Sequence, residues 1–310
     1  MRRRRQLYGP LASFKRLRAS NSAEILGRIS RLERQDLTRL TEAQVALRIG
    51  RIMDGFALRP VVFATERVFR ARVENTTSVF TNAAELWYPP AEVVGAGRFN
   101  SKGQSVFYAA STLNSALWEC RPKPGDIIEV LICASIEPSE ELKAAHIGLP
   151  DFRGRARHAA DFPDIRSDPS FKSQLRSLSL DKKWERVESF LSRMTGMDER
   201  DRAGLYKLTR EIGKILMGMS DSTGLMYPSI GADKAAINLC LFPEAADKFF
   251  FPAEVWRFRI NAIHKEISGA PPSKPGFLES VPLARSEVIS EDGEIEWLNS
   301  FAKSALRDLA

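Results

Sequence analysis

Residues Gly95–Glu119 read GAGRFNSKGQSVFYAASTLNSALWE, and this stretch decides between a doubly wound sheet and an α+β fold. Gly95 and Gly97 supply G-x-G, but Asn100 stands where a dinucleotide fingerprint requires its third glycine. An acidic ribose ligand about 20 residues further on is not recognisable either, so a Rossmann fold and oxidoreductase chemistry are set aside. The loop leads into a buried strand, "SVFYAAS" (105–111), and then into a short helix, "TLNSALWEC" (112–120). Within that helix Leu113, Ala116, Leu117 and Cys120 fall at i, i+3, i+4 and i+7, the spacing of a buried stripe. Ser115 and Glu119, four apart, are neighbours on another face.

Working outward, strands and helices come in mixed order. "VVFATERVFRARVE" (61–74), "DIIEVLICAS" (126–135), "INLCLF" (237–242) and "AEVWRFRINAI" (253–263) carry the apolar and β-branched composition of strands. Residues 22–52 place Ile25, Ile29, Leu32, Leu40 and Leu47 at helical spacing, and "DKKWERVESFLSRM" and "RAGLYKLTREIGKILMGM" read as two further helices. "DFPDIRSDPS" reads as loop, "SGAPPSKPG" as linker, and the tail "EIEWLNSFAKSALRDL" as helix. The alternation is too irregular for a doubly wound sheet, so the expected fold is α+β with a mixed sheet. The chain divides into three regions: a basic helical extension over 1–60, a catalytic domain over 61–262, and a linker with a helical tail over 263–310.

Composition excludes several classes. Hydrophobic residues make up 44% and charged residues 27% of the 310, a globular balance. No apolar run approaches the roughly 20 residues of a membrane helix, and "MRRRRQLYGPLASFKRLR" lacks the apolar core of a secretory signal. Cys120, Cys133 and Cys240 are spaced for neither disulfides nor zinc, which fits a reducing cytoplasm, and His146, His158 and His264 do not cluster as metal ligands. Residues 1–59 hold fourteen Lys/Arg against five Asp/Glu, a net of +9, leaving −2 for the rest of a chain whose total is +7. That end could bind nucleic acid or an acidic partner, although few aromatic residues interleave with its arginines for base stacking.

Arg98 sits among Gly95, Gly97 and Gly103, where the backbone can approach a ligand and a guanidinium can bind phosphate oxygens in pairs. Alone it would read as a turn arginine, Tyr108 as a core tyrosine, and Glu119 as a solvated charge. Ser229 follows Tyr227-Pro228 at a strand end; no G-x-S-x-G surrounds it, so it reads as a hydrogen-bonding group rather than a nucleophile.

Taken together, "GAGRFNSKGQSVFYAASTLNSALWEC" and the downstream "GLMYPSIGADKAAINLCLF" resemble the RES domain, with the opening "VFRAR" similar to that family's first strand. Arg98, Glu119 and Ser229 match the arginine, glutamate and serine of the family in chain order, with Tyr108 as its tyrosine, Ser115 as its helix serine and Arg70 as its first-strand base. The resemblance spans about residues 66–245. It implies a fold similar to ADP-ribosyltransferase toxins and the toxin role of a toxin–antitoxin pair, with an Xre-like antitoxin as partner. NAD would be the substrate rather than a cofactor, with inorganic phosphate as an optional co-substrate. Cleavage of the nicotinamide–ribose bond by phosphorolysis or hydrolysis is the expected reaction, and ADP-ribosyl transfer to a protein is the alternative. A nucleic-acid or interaction module led by the basic amino terminus is a third reading, and oligomerisation stays open. On this reading Arg98, Tyr108, Glu119 and Ser229 are catalytic, while Arg70, Gly97, Asn100, Ser115, Tyr227 and Asn238 bind substrate.

Overall fold

The computed structural model describes residues 21–56, 61–74, 79–136, 142–148, 164–166, 181–218, 222–230, 236–264 and 277–298. They hold six α-helices: α1 Ser22–Arg34, α2 Glu42–Ile52, α3 Leu113–Glu119, α4 Asp181–Thr195, α5 Leu205–Met217 and α6 Pro243–Phe249. The strands are β1 Val61–Ala64, β2 Arg67–Val73, β3 Phe107–Ala110, β4 Ile127–Ser135, β5 Leu142–His146, β6 Asp164–Arg166, β7 Gly224–Pro228, β8 Ile237–Leu241, β9 Phe250–His264, β10 Phe277–Ile289 and β11 Ile295–Leu298. They form one sheet in the order β11-β10-β9-β4-β2-β3-β8-β7-β5-β1-β6. Only β5 and β7 run parallel, so the sheet is mixed and the fold is α+β.

Both faces of the sheet are covered, which explains why β4 reads as an unbroken apolar run instead of alternating with polar residues. Ile128, Val130 and Ile132 point to one face, where Ala116 and Leu117 of α3 meet them. Leu131 and Cys133 point to the other face, packed with Ala83, Leu86 and the Ala245, Ala246 and Phe249 side of α6. Helices α1, α2, α4 and α5 lie on the α3 side, over Tyr227 of β7 and Cys240 of β8. Tyr108 packs against this helical layer and Ala110 against α3, so alternation along β3 puts both helical groups on one face.

The amino-terminal helices are well-formed local units. Asn21 caps α1 by accepting the Ala23 N–H at 2.8 Å, and Thr41 and Gln44 form a reciprocal capping box on α2. The buried stripe of α2 is Val45, Ile49 and Ile52, whereas Leu47, expected to face inward, is exposed. Arg202 donates to the Leu32 and Gln35 carbonyls at the end of α1, Lys207 donates to the Thr38 and Leu40 carbonyls, and Arg210 and Arg193 pair with Glu42 and Glu33. These bonds fasten α1 and α2 to the segment that runs from α4 into α5.

Three stretches differ from the sequence reading. The tail expected to be helical is strand over Ile295–Leu298, because it pairs with β10; the linker 268–276 and the rest of the tail lie outside the described residues. "DFPDIRSDPS" contributes an edge strand, β6, against β1. Residues 142–146, given no element in the sequence reading, form β5, which joins β1 to β7. The leader 1–20 also lies outside the described residues. Cys120, Cys133 and Cys240 are free thiols, and no described helix is long and apolar enough to cross a membrane.

Candidate active site

The glycine-rich loop is held from within. A β-carbon on Gly97 would lie 2.3 Å from Asn100 Oδ1, so no side chain fits at that position. Asn100 Nδ2 donates to the carbonyls of Gly95 (2.9 Å), Ser101 (3.2 Å) and Gln104 (3.3 Å). The Tyr108 hydroxyl donates to Asn100 Oδ1 at 3.0 Å and accepts the Phe99 N–H at 2.9 Å. Asn100 therefore closes the loop on itself, and Tyr108 ties it to β3. Burial raises the Tyr108 phenol well above its usual range, so it stays protonated and keeps donating.

That loop presents Arg98 to the helical layer. Its Nη1 donates to the carbonyls of Thr195 (2.8 Å) and Met197 (3.0 Å), at and just past the end of α4, where helical carbonyls lack partners and the helix dipole is negative. The guanidinium lies 5.3 Å from the centre of the Tyr206 ring, and Thr209 Oγ1 donates to the Arg98 carbonyl at 2.6 Å. Arg98 is only 9% exposed. Gly213 lets α5 pass close: a β-carbon there would stand 3.1 Å from Phe99 Cβ and Cδ1.

Helix α3 carries the carboxylate. Thr112 caps it by accepting the Ser115 N–H at 3.2 Å, and its apolar residues fix it to the sheet. Glu119, its last residue, is exposed, and Ser229 Oγ donates to Glu119 Oε1 at 2.5 Å across 110 positions of chain. Ser229 is fully buried at the end of β7, and its N–H donates to the Ala236 carbonyl. Tyr227, two residues earlier, meets Phe99 edge-on with ring centres 4.7 Å apart. Burial raises its phenol first, the Glu119 charge raises it further, and Arg98 opposes both, so Tyr227 stands in the field of both groups. Asn238 on β8 is paired in register with Tyr227 and with Ala110, and its buried Oδ1 has no hydrogen-bond partner. Ser115 Oγ is likewise buried without a partner, on the sheet side of α3 rather than beside Glu119 on an outward face.

One candidate stands apart. Arg70 shares its face of β2 with Val68, which packs on the opposite side of the sheet. Its Nε donates to the Leu86 and Trp87 carbonyls, its Nη1 donates to the Tyr108 carbonyl at 2.8 Å, and its guanidinium lies over Phe107. Between β2 and β3 only Phe69 and Ala110 are paired, so Arg70 straps the sheet where the two strands part. Burial lowers its guanidinium to about 10, and the structure does not bring it to the other candidates.

Sequence reasoning missed a further group beside the site. Arg121, two residues past Glu119, pairs with Asp198 at 2.9 Å, and Arg200 holds the other oxygen of Asp198 at 2.8 Å. Asp198 directly follows Met197, one of the Arg98 acceptors. Nothing local in the sequence marks these residues; the contact spans 77 positions. Among the described residues no His, Cys, Asp and Glu group is arranged to hold a metal ion.

The family model described as RES domain matches residues 67–261, from β2 into β9. No curated protein matches the chain.

Proposed function

The chain belongs to the RES domain family, whose members are NAD-degrading toxins, and from that premise we propose that it cleaves the bond between nicotinamide and ribose in NAD. The observation that carries this reading is the hydrogen bond from buried Ser229 to exposed Glu119, which fixes one carboxylate at the end of a helix anchored by buried Ala116 and Leu117.

Nicotinamide leaves NAD as a neutral base, so departure needs no general acid. What needs stabilising is the positive charge that develops on the ribose, as in glycoside cleavage. Glu119 supplies the negative charge, and Ser229 fixes which way its oxygens point. The bond from C1″ to the nicotinamide nitrogen breaks with its electron pair going to the ring. A new bond from C1″ to a water or phosphate oxygen then forms, and the attacking water gives up its proton to Glu119 or solvent. Tyr227 and Phe99, packed edge to face in the core, back the Glu119 side. Asn238 Oδ1 and Ser115 Oγ are two buried polar atoms on this face without a hydrogen-bond partner, and they suit the amide and hydroxyl groups of the ligand. Tyr108, Asn100 and Gly97 act by shaping the loop, and Arg98 supplies a fixed positive charge for the anionic half of the dinucleotide. Toxin action and control by an Xre-like antitoxin covering the cleft are part of the same reading.

The test is to follow NAD by NMR with purified full-length protein, with and without inorganic phosphate. Free nicotinamide should accumulate with ADP-ribose, or with its 1″-phosphate when phosphate is the acceptor. NAD that persists unchanged over hours at micromolar enzyme would defeat the proposal.

A further inference from the structure

Three guanidiniums meet the turn that follows α4. Arg98 binds its carbonyls at Thr195 and Met197, while Arg121 and Arg200 take one oxygen each of Asp198. Asp198 is the one carboxylate in ion-pair contact with any of the three among the described residues; Asp201 adds an exposed charge near Arg200. Two arginines thus share one ion-paired carboxylate within a few residues of Glu119, while the Glu199 carboxylate in the same turn accepts the Gly204 and Tyr206 N–H groups.

The three arginines differ in access. Arg98 is nearly enclosed, but the side chains of Arg121 and Arg200 are 44% and 70% exposed. Each gives Asp198 a single Nη2, and a guanidinium has five N–H donors in a planar fork. Much of each fork therefore stays open to solvent, and Arg121 stands only two positions beyond Glu119. The backbone adds a second sign. Arg121 has φ +52°, the only positive φ at a described non-glycine residue, in the position after a helix C-cap where glycine is usual. A β-carbon is strained in that conformation. Strained positions of this kind cluster at functional sites.

We infer that Arg121 and Arg200 form an anion subsite beside Glu119 that takes a phosphate group, with Asp198 holding the two guanidiniums in position. The inference rests on the NAD-cleavage reading for its ligand, and two sources share the chemistry: the pyrophosphate of the dinucleotide, or inorganic phosphate as acceptor. Arg98, buried and bonded to two carbonyls, then acts as a fixed charge behind the site, and the exchangeable contacts fall to its exposed neighbours. Guanidinium and phosphate match as paired, charge-assisted hydrogen bonds.

The experiment titrates ADP-ribose and inorganic phosphate separately into the full-length protein by calorimetry, which needs no turnover. It compares wild type with Arg121→Gln/Arg200→Gln, with Arg200→Gln alone, and with Arg121→Lys, each verified as folded by its thermal transition. Loss of two charge-assisted contacts should weaken binding of the relevant ligand at least roughly tenfold in the double variant. Arg200→Gln, a change at an exposed side chain, should give a smaller loss in the same direction, and Arg121→Lys, which keeps the charge but not the planar fork, should lose less than the double variant. Weakened ADP-ribose binding assigns the subsite to the pyrophosphate, and weakened binding of phosphate alone assigns it to the acceptor. Wild-type affinity for both ligands in the folded double variant overturns the subsite, and so does a wild type that binds neither. NAD left intact by a wild type whose ADP-ribose binding depends on Arg121 would remove the reaction and leave the subsite standing. NAD consumed with unchanged KM for NAD and for phosphate by the double variant would do the reverse.

Discussion

Two charged clusters sit on opposite faces of the sheet, and each inverts the other. On the helical face, Asp198 is outnumbered by Arg121 and Arg200 at a solvent-reached rim. On the opposite face, Arg257 is outnumbered by Glu74 at 2.6 Å and Glu129 at 3.7 Å, and both acids are sealed from water. The carboxyl groups respond in opposite directions. Hydrogen bonding from Arg200 comes first in pulling Asp198 down to about 2, whereas burial comes first in pushing Glu129 up to about 7. Arg257 draws Glu129 back and Glu74 pushes it further up. The contrast separates a charge excess that can meet a ligand from one that the fold must tolerate. The sign in excess and the access of water decide which is which.

The strongest way to break this contrast is to exchange its carboxylates for amides one at a time. Glu119→Gln should lower NAD cleavage by roughly 1000-fold with little change in thermal stability, because it removes the charge that faces the reacting sugar. Glu129→Gln, on the far face, should leave turnover unchanged. A steady-state assay of nicotinamide release on both variants checks the pair; equal losses would erase the distinction between the faces.

The next effect concerns stability. The folded-state value of Glu129 lies above its unfolded value of 4.5, so the native protein holds a proton that the unfolded chain releases between about pH 4.5 and 7. Wild-type stability therefore falls as pH rises through that window. Glu129→Gln has no such titration, and its stability relative to wild type should improve by up to about 3 kcal/mol between pH 4 and pH 8. Denaturant unfolding at the two pH values measures the difference. Asp198 has the opposite sign and a smaller size. Its value is depressed from 3.8, so its stabilisation is present above about pH 4 and lost as pH falls towards 2. Asp198→Asn should destabilise by about 1–2 kcal/mol at neutral pH, with the gap to wild type closing in acid. A gap that held constant from pH 7 to pH 2.5 would show that charge plays no part there.

Legibility in the sequence followed the range of the interactions. β3, α3 and β4 could be read because their burial follows local periodicity, and Arg98 and Glu119 lie within 21 residues of each other. The partnership of Glu119 with Ser229 was legible only through resemblance to a family, since no local rule joins positions so far apart. Alternation groups Arg70 with Val68 and Arg72 on β2, and tertiary packing sets which face of that strand meets the loop. Glu294–Leu298 carried a helical pattern, and pairing with β10, together with the Asn82–Glu294 bridge, overrode it. Asp198 sat unnoticed in "DERDR" because two arginines nearby in sequence gave no sign that Arg121 would also bind it.

The fastening of α1 and α2 has a practical consequence. Trimming the protein to its family-matched span, 67–261, would strip Val45, Ile49 and Ile52 from the apolar layer that also contains Phe99 and Tyr227. Arg202 and Lys207 would lose their carbonyl acceptors, on the same stretch of chain that cradles Arg98. Within this molecule the family-matched span shares its apolar layer with α1 and α2, which stand as a retaining wall behind the arginine.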